Sequence, residues 1–331
     1  MRRTRGDGMM QVVAVDIGGT HARFAIAEVE GGHVLSLGEP VTLKTAEHAS
    51  LQTAWQAFGK TLDRPMPRAA AIAVASPVDG DLIKLTNNPW IIRRGLVKER
   101  LEVDEFVLVN DFGAVGHAVA QVGPEMFEHI TGPDVPLPDH GIISIVGPGT
   151  GLGVAQVLRE KRGYHVLETE GGHSDFPPLD SFEDALLKRL RTLHGRVSSE
   201  RVVSGPGIVA IYETLAEIDG RPVSRLDDKA IWQMALEGTD SLALAALDRF
   251  CLALGATAGD RAICQGAKAV VIAGGLGLRI KDHIVRSGFA ERFAAKGRFR
   301  AMMQALPVKL ITHPQPGLFG AAAAFAQEHH Q

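Results

Sequence analysis

Apolar residues alternate with small or polar ones over two neighbouring stretches near the start of the chain. Val13, Val15 and Ile17 share one face of the first, and Phe24, Ile26 and Val29 mark the second. This periodicity predicts two strands. Gly18-Gly19-Thr20 lies between them, so the pair reads as a hairpin closed by a tight turn. In the dinucleotide fold and the P-loop, by contrast, a glycine run opens a helix whose N-terminus meets the phosphate. Here the glycines lead into another strand, and the expectation is that they allow φ > 0 and a close backbone approach.

The pattern returns in "GIISIVGPGTGLGVAQVL" at 141–158, again an apolar strand, a glycine-threonine turn and an apolar strand. A third glycine pair, Gly274-Gly275, ends the apolar run in "AVVIAGGLGLRI" at 269–280. One such pair is equally an ordinary turn. Three at strand ends, two of them in hairpins, point to a nucleotide cleft between two halves related by internal duplication. "TGPDVPLPDHG" at 131–141 reads as a connection, and helical patterns follow at 181–194 and 241–265.

Bulk properties narrow the function classes. A length of 331 residues allows two domains, and 45% hydrophobic with 22% charged residues is the balance of an ordinary globular protein. A net charge of -3 provides no global basic field for nucleic acid or an anionic membrane, and 5% aromatic residues argues against a base-stacking surface. No apolar run is expected to reach the ~18 to 20 residues of a membrane helix. The start, "MRRTRGDGMM", lacks an apolar segment and a cleavage site, so residues 1–10 are expected to be a flexible extension rather than a signal peptide. Cys251 and Cys264 form no CxxC pair and read as reduced core thiols of a cytoplasmic protein.

Asp16-Ile17-Gly18-Gly19-Thr20, Gly149-Thr150-Gly151 and Gly274-Gly275 resemble the phosphate hairpins and adenosine segment of the actin-like ATPase superfamily, which includes the hexokinases. "LTNNPW" (85–90), "LVNDFGAV" (108–115), "ETEGGHSDF" (168–176), "SSERVVSGPG" (198–207), "SGF" (287–289), "KGRF" (296–299) and "PGLFGAA" (316–322) resemble, in order, the motifs of the bacterial glucokinase family. The resemblance implies an α/β, duplicated ribonuclease-H-like fold, with two domains around a nucleotide and sugar cleft. It places a small domain at 11–120 plus 312–331 and a large domain at 121–311. It also implies transfer of the ATP γ-phosphoryl group to the 6-hydroxyl of glucose, with Mg²⁺, in a cytoplasmic homodimer. The alternatives are a kinase for another hexose or amino sugar, and a non-catalytic sugar sensor. The ROK group of sugar kinases follows its glycine-histidine motif with zinc-binding cysteines. Here "SDFPPLD" follows His173, so no zinc site is expected. Few residues precede the first strand, so the helix-turn-helix of ROK repressors and a DNA partner are not expected.

Phosphoryl transfer needs positioning, charge neutralisation and a group that receives the hydroxyl proton. Asp111 follows the apolar run 106–109 and would sit at a strand's C-terminal end. The residues Asn110-Asp111 could equally cap the helix that follows. The resemblance makes Asp111 the base and Asn110 a sugar ligand, with Asn87 a further sugar contact or loop determinant. Glu170 and His173 flank two glycines, and Glu200 stands at an expected helix start. Alone they read as a turn residue, a structural histidine and a helix-dipole partner, whereas the resemblance assigns all three to glucose. Asp16 would hold Mg²⁺ through water or merely shape a turn. Ile17, Gly18, Gly19, Thr20, Gly149, Thr150, Gly151, Gly274 and Gly275 complete the expected ATP site. Arg23 would assist the phosphates or be an exposed strand residue.

Overall fold

The computed structural model describes residues 8–85 and 88–330. The chain divides into two compact units, one running to Val122 and resuming at His313, the other Gly123–Thr312.

The first unit opens on the hairpin. Strand β1 (Met10–Ile17) pairs antiparallel with β2 (His21–Glu30), Ile17 opposite Ala22. Next come β3 (His33–Leu37), β4 (Val41–Lys44), α1 (Leu51–Gly59), β5 (Ala69–Val74) and the small ribbon of β6 (Leu82–Lys84) with β7 (Ile91–Arg93). Helix α2 (Val97–Leu101), β8 (Glu105–Asn110) and α3 (Asp111–Gln121) complete this stretch. The sheet order is β3-β2-β1-β5-β8, with β4 also on β2 and with β1, β5 and β8 mutually parallel. Ile17 lies opposite Val74, and Val74 opposite Asn110, so the C-terminal ends of the three parallel strands form one row.

The second unit repeats this order. It contains β9 (Phe127–Thr131), β10 (Gly141–Pro148), β11 (Leu152–Glu160), β12 (Gly163–Thr169), α4 (Ser181–His194), α5 (Gly207–Ile218) and α6 (Asp228–Glu237). Helix α7 (Ser241–Gln265), β13 (Ala269–Ile272), α8 (Gly274–Arg279), α9 (Lys281–Arg286), α10 (Phe289–Ala294), α11 (Arg300–Gln304) and β14 (Val308–Ile311) follow. Its sheet runs β12-β11-β10-β13-β14-β9, again an antiparallel hairpin followed by parallel strands, with antiparallel β9 added at the far edge.

Helix α7 corrects one expectation. It is long and apolar enough to cross a membrane by length and composition. A helix apolar all round is either a core helix or a membrane span, and 72% of the apolar window is buried within the protein. Phe250, Cys251 and Leu254 are fully buried there, so α7 acts as the spine of the second core, whereas Cys264, in the last turn of the helix, is exposed rather than a core thiol.

In the first unit, alternation sorts the strands between two layers. Val13, Val15, Ile17 and Ile72 face a large-residue layer with Phe24, Trp55 and Phe58. Val12, Ala14, Ala71 and Ala73 face the final helix, α12 (Pro316–His330), which brings Leu318, Ala321, Ala322 and Phe325. Small residues on both sides let α12 approach closely. A Cβ at Gly320 would run into the Ala114 carbonyl of α3, so α3 and α12 touch backbone to backbone.

The hairpin glycines do not take the expected conformation. Gly18, Gly19, Gly149 and Gly151 all lie outside the positive-φ set, whereas Gly274 has φ +83. Of the turn glycines, Gly151 supplies room instead, since a Cβ there would lie 2.5 Å from Glu200 Oε2.

Candidate active site

The turn after β1 is held from one side by two distant residues. Gly18 N–H closes the turn on the His21 carbonyl at 2.9 Å. Asn88 Nδ2 donates to Gly18 O at 3.1 Å, Thr45 Oγ1 to Gly19 O at 3.0 Å, and Thr45 N–H to Thr20 O at 3.0 Å. In a trans peptide the next N–H points opposite to the carbonyl. Fixing the carbonyls of Gly18 and Gly19 therefore aims the N–H groups of Gly19 and Thr20 away from Asn88 and Thr45. Successive N–H groups so directed make an anion-binding concavity. Thr20 is exposed, its hydroxyl 3.0 Å from His21 Nδ1.

Asp16 and Arg23 pair in the β1–β2 register, with Arg23 Nη1 3.5 Å from Asp16 Oδ2. Arg23 thus has Asp16 as a partner while its side chain stays 40% exposed on the strand. Burial raises the Asp16 carboxyl above its usual range, and Arg23 only partly opposes this. The start of α12 is kept open beside it, because a Cβ at Gly317 would come within 2.8 Å of Asp16 Oδ2. Mg²⁺ keeps much of its water shell and takes one or two carboxylates plus phosphate oxygens. One recessed carboxylate next to an N–H-lined turn fits that demand.

Asn110 ends β8 and caps α3. Its Oδ1 accepts from Phe112 N–H at 2.9 Å and Gly113 N–H at 3.2 Å, and its Nδ2 donates to Ser76 O at 3.3 Å. Asp111 Oδ1 also accepts from Phe112 N–H, at 2.8 Å. Capping and catalysis are therefore not exclusive readings, since the cap is what fixes Asp111 on the row of strand ends. Asn87 lies outside the described residues, and its neighbour Asn88 is the one seen bracing the turn.

In the second unit, two loops converge on the β10–β11 turn. Glu170 precedes a single 3₁₀ turn, Gly171–His173, and Glu200 lies within another, Ser199–Arg201. The α-helix expected to begin near Glu200 starts only at Gly207. His173 Nε2 lies 3.8 Å from Glu170 Oε2 and 3.9 Å from Glu200 Oε1. Glu200 Oε2 accepts from Leu152 N–H at 2.9 Å, just past Gly151. A Cβ on Gly151 would sit 2.5 Å from that oxygen, and one on Gly172 would strike the Leu152 carbonyl.

Gly205 N–H donates to Gly149 O at 2.7 Å, which turns the exposed Thr150's N–H the opposite way. Trp232 Nε1 backs the same loop through Gly205 O at 2.9 Å. Gly274 begins α8 where a Cβ would lie 2.8 Å from Pro148 O, and Gly275 next to it has open space at its own Cβ position. The second unit thus joins a carboxylate–imidazole cluster to a glycine turn. Such a cluster both accepts and donates, as sugar hydroxyls require.

Comparison with known proteins follows this geometry. The glucokinase family model matches residues 13–328. A glucokinase of Zymomonas mobilis subsp. mobilis is 62% identical over 320 residues, covering 97% of this chain and 99% of its own. A glucokinase of Caulobacter vibrioides is 39% identical over 317 residues, covering 95% and 94%. The crystal structure of a glucokinase from an Antarctic psychrotroph superposes with TM-score 0.83 at 32% identity, covering 97% and 99%. A ROK family glucokinase from Streptomyces griseus, solved in complex with glucose and AMPPNP, shares the fold at TM-score 0.62 and 21% identity, covering 97% and 100%. The mixed α/β units are those of a sugar kinase, and with a match that takes in both hairpins, both loops and α12, the chain belongs to the glucokinase family.

Proposed function

We propose that this chain transfers the γ-phosphoryl group of ATP to the 6-hydroxyl of D-glucose, giving glucose 6-phosphate and ADP, with Asp111 as general base. The observation that carries this reading is the row of strand ends in the first unit. It sets Asp111, at the end of β8, on the same sheet edge as Asp16 and the N–H-lined turn after β1. Asp111 accepts the 6-hydroxyl proton as that oxygen attacks the γ-phosphorus, and the β–γ bridging oxygen leaves with ADP. Asn110 keeps the base in place through the cap, and with Asn87 it contributes to sugar recognition.

In the second unit, Glu170, His173 and Glu200 meet the sugar hydroxyls, while Gly149, Thr150 and Gly151 meet phosphate and Gly274 and Gly275 admit the adenosine. Gly18, Gly19 and Thr20 contribute backbone N–H groups to phosphate in the first unit, beside Ile17. Bound Mg²⁺ would neutralise phosphate oxygens, held by Asp16 through water. We assign the units to the small and large domains of a duplicated ribonuclease-H-like, actin-like ATPase fold. Their matching strand orders support this. By family likeness the enzyme is a cytoplasmic homodimer that opens glucose catabolism.

The test is ADP release measured across a panel of hexoses and amino sugars with Mg·ATP. Glucose should be preferred and turnover without sugar should be negligible. Preference for another sugar would replace the substrate, and no sugar-dependent ADP release would replace catalysis by sensing.

A further inference from the structure

Arg261 lies on α7, outside every residue assigned above to glucose or ATP. Its Nη2 donates to Ser174 Oγ and, at 3.2 Å, to Ser199 Oγ. Ser174 directly follows His173, and Ser199 directly precedes Glu200. One guanidinium therefore holds the residues adjoining two of the sugar-site side chains, although these lie in loops far apart in sequence.

The two loops have little else of regular structure to hold them. Each carries one 3₁₀ turn, and they meet through an isolated bridge between Asp175 and Ser198 and through Ser199 N–H donating to Ser174 O at 2.8 Å. The serines pass the restraint onward. Ser174 Oγ donates to Gly171 O at 3.1 Å, and Ser199 Oγ to Asp175 O at 3.4 Å. A second arginine, Arg196, donates to His173 O at 2.6 Å and pairs with Asp175 at 2.8 Å. Its side chain is 62% exposed, however, and exposed pairs contribute little. Arg261 is the recessed one. Its Nε is buried with no hydrogen-bond partner among the described residues, and its two partners are neutral hydroxyls rather than a carboxylate. Arg261 is half-buried, and its guanidinium meets two hydroxyls rather than the carboxylate that a stabilising ion pair would use, which directs attention to what it holds.

We infer that Arg261 is a positioning residue for the sugar, setting the spacing of His173 and Glu200 by binding Ser174 and Ser199 on one guanidinium. The inference rests on the reading of His173 and Glu200 as glucose ligands. Binding groups displaced by a fraction of an ångström lose much of their effect, so the fault from losing Arg261 falls on glucose.

The test uses the full chain and compares Arg261→Met, Arg261→Lys, Ser174→Ala/Ser199→Ala and the Met variant combined with both serine changes. Glucose KM, ATP KM, kcat and melting temperature are measured for each, with His173→Ala as reference. Arg261→Met should raise the glucose KM roughly 5- to 20-fold, below the roughly 10- to 150-fold that hydrogen bonds to a charged donor are worth because the loops keep their other contacts, and leave the ATP KM nearly unchanged. Arg261→Lys should recover part of the loss, because an ammonium still reaches one hydroxyl. Adding Arg261→Met to the double serine variant should change the glucose KM little, since the partners act as a unit. A lowered melting temperature with an unchanged glucose KM, or equal increases in both KM values, overturns the inference. If His173→Ala also leaves the glucose KM unchanged, the glucose reading fails first and takes the inference with it.

Discussion

Asp16 and Arg23 face each other across the first hairpin with their charged groups 3.5 Å apart, yet the Asp16 carboxyl still titrates above its ordinary value of 3.8. Desolvation outweighs the ion pair. Below pH 3.8 the carboxyl is protonated in folded and unfolded chains alike, and burial carries no charge penalty. As pH rises through the higher folded value the penalty appears, and it persists at neutrality. Asp16→Asn should therefore melt higher than the parent at pH 7, by about 0.5–2 kcal/mol in stability, with the gap narrowing towards pH 4. Turnover should fall in the same variant, and its Mg²⁺ dependence should change. Thermal melts across pH alongside Mg²⁺ titrations of the rate check both halves, and a lower melting point at pH 7 would refute the desolvation argument.

Asp111→Asn keeps an oxygen able to accept from Phe112 N–H, now at 2.8 Å, so α3 should remain capped and the variant folded. What it loses is proton acceptance. The expected result is kcat down ~10²- to 10⁴-fold with glucose binding by calorimetry and the melting temperature largely retained. More than about a third of parental kcat would remove Asp111 from the role of base.

His173 and Glu200 should separate in their effects. His173→Ala should raise the glucose KM alone, whereas Glu200→Ala also frees Leu152 N–H beside the β10–β11 turn and should raise the ATP KM too. Each lost sugar contact is worth roughly 5- to 150-fold in the glucose KM. Steady-state kinetics with each substrate varied will show the split, and identical profiles for the two variants would mean that Glu200 does not brace the turn.

Gly274→Ala meets two obstacles, a backbone φ of +83 and the Pro148 carbonyl 2.8 Å from the new Cβ. The left-handed conformation alone costs about 1–2 kcal/mol. Stability should drop by at least this much and the ATP KM should rise, whereas Gly275→Ala, which meets nothing, should be nearly silent in stability. Paired melts and kinetics of the two neighbours make the comparison direct.

Local periodicity disclosed the two hairpins, the helices at 181–194 and 241–265, and the placement of Asp111 after β8, because each depends on residues adjacent in sequence. The braces were not legible. Thr45 and Asn88 reach the first turn across 26 and 70 residues, and Arg261 reaches Ser174 across 87. Nothing in a single threonine, asparagine or arginine reports such a partner. Gly151 leaves space for Glu200 rather than making the expected positive-φ turn, and Gly172, on which no such expectation rested, leaves space for Leu152. A helix start and a lone 3₁₀ turn share their polar signals, which explains the misplaced helix at Glu200.

The last helix has a bearing on biogenesis. The alanine face of the first sheet is covered by α12, so a chain emerging from the ribosome must extend through all of 123–312 before that cover exists. During this interval Val12, Ala14, Ala71 and Ala73 have no partner on α12, and the space beside Asp16 lacks its Gly317 wall. The intervening unit, whose own core draws on 123–312, can meanwhile condense. Vectorial synthesis thus favours an order, in which the unit that holds His173 and Glu200 can mature before the unit that holds Asp111. A ribosome stalled shortly before Pro316 would leave a nascent chain with an open apolar sheet, the kind of surface that holding chaperones bind.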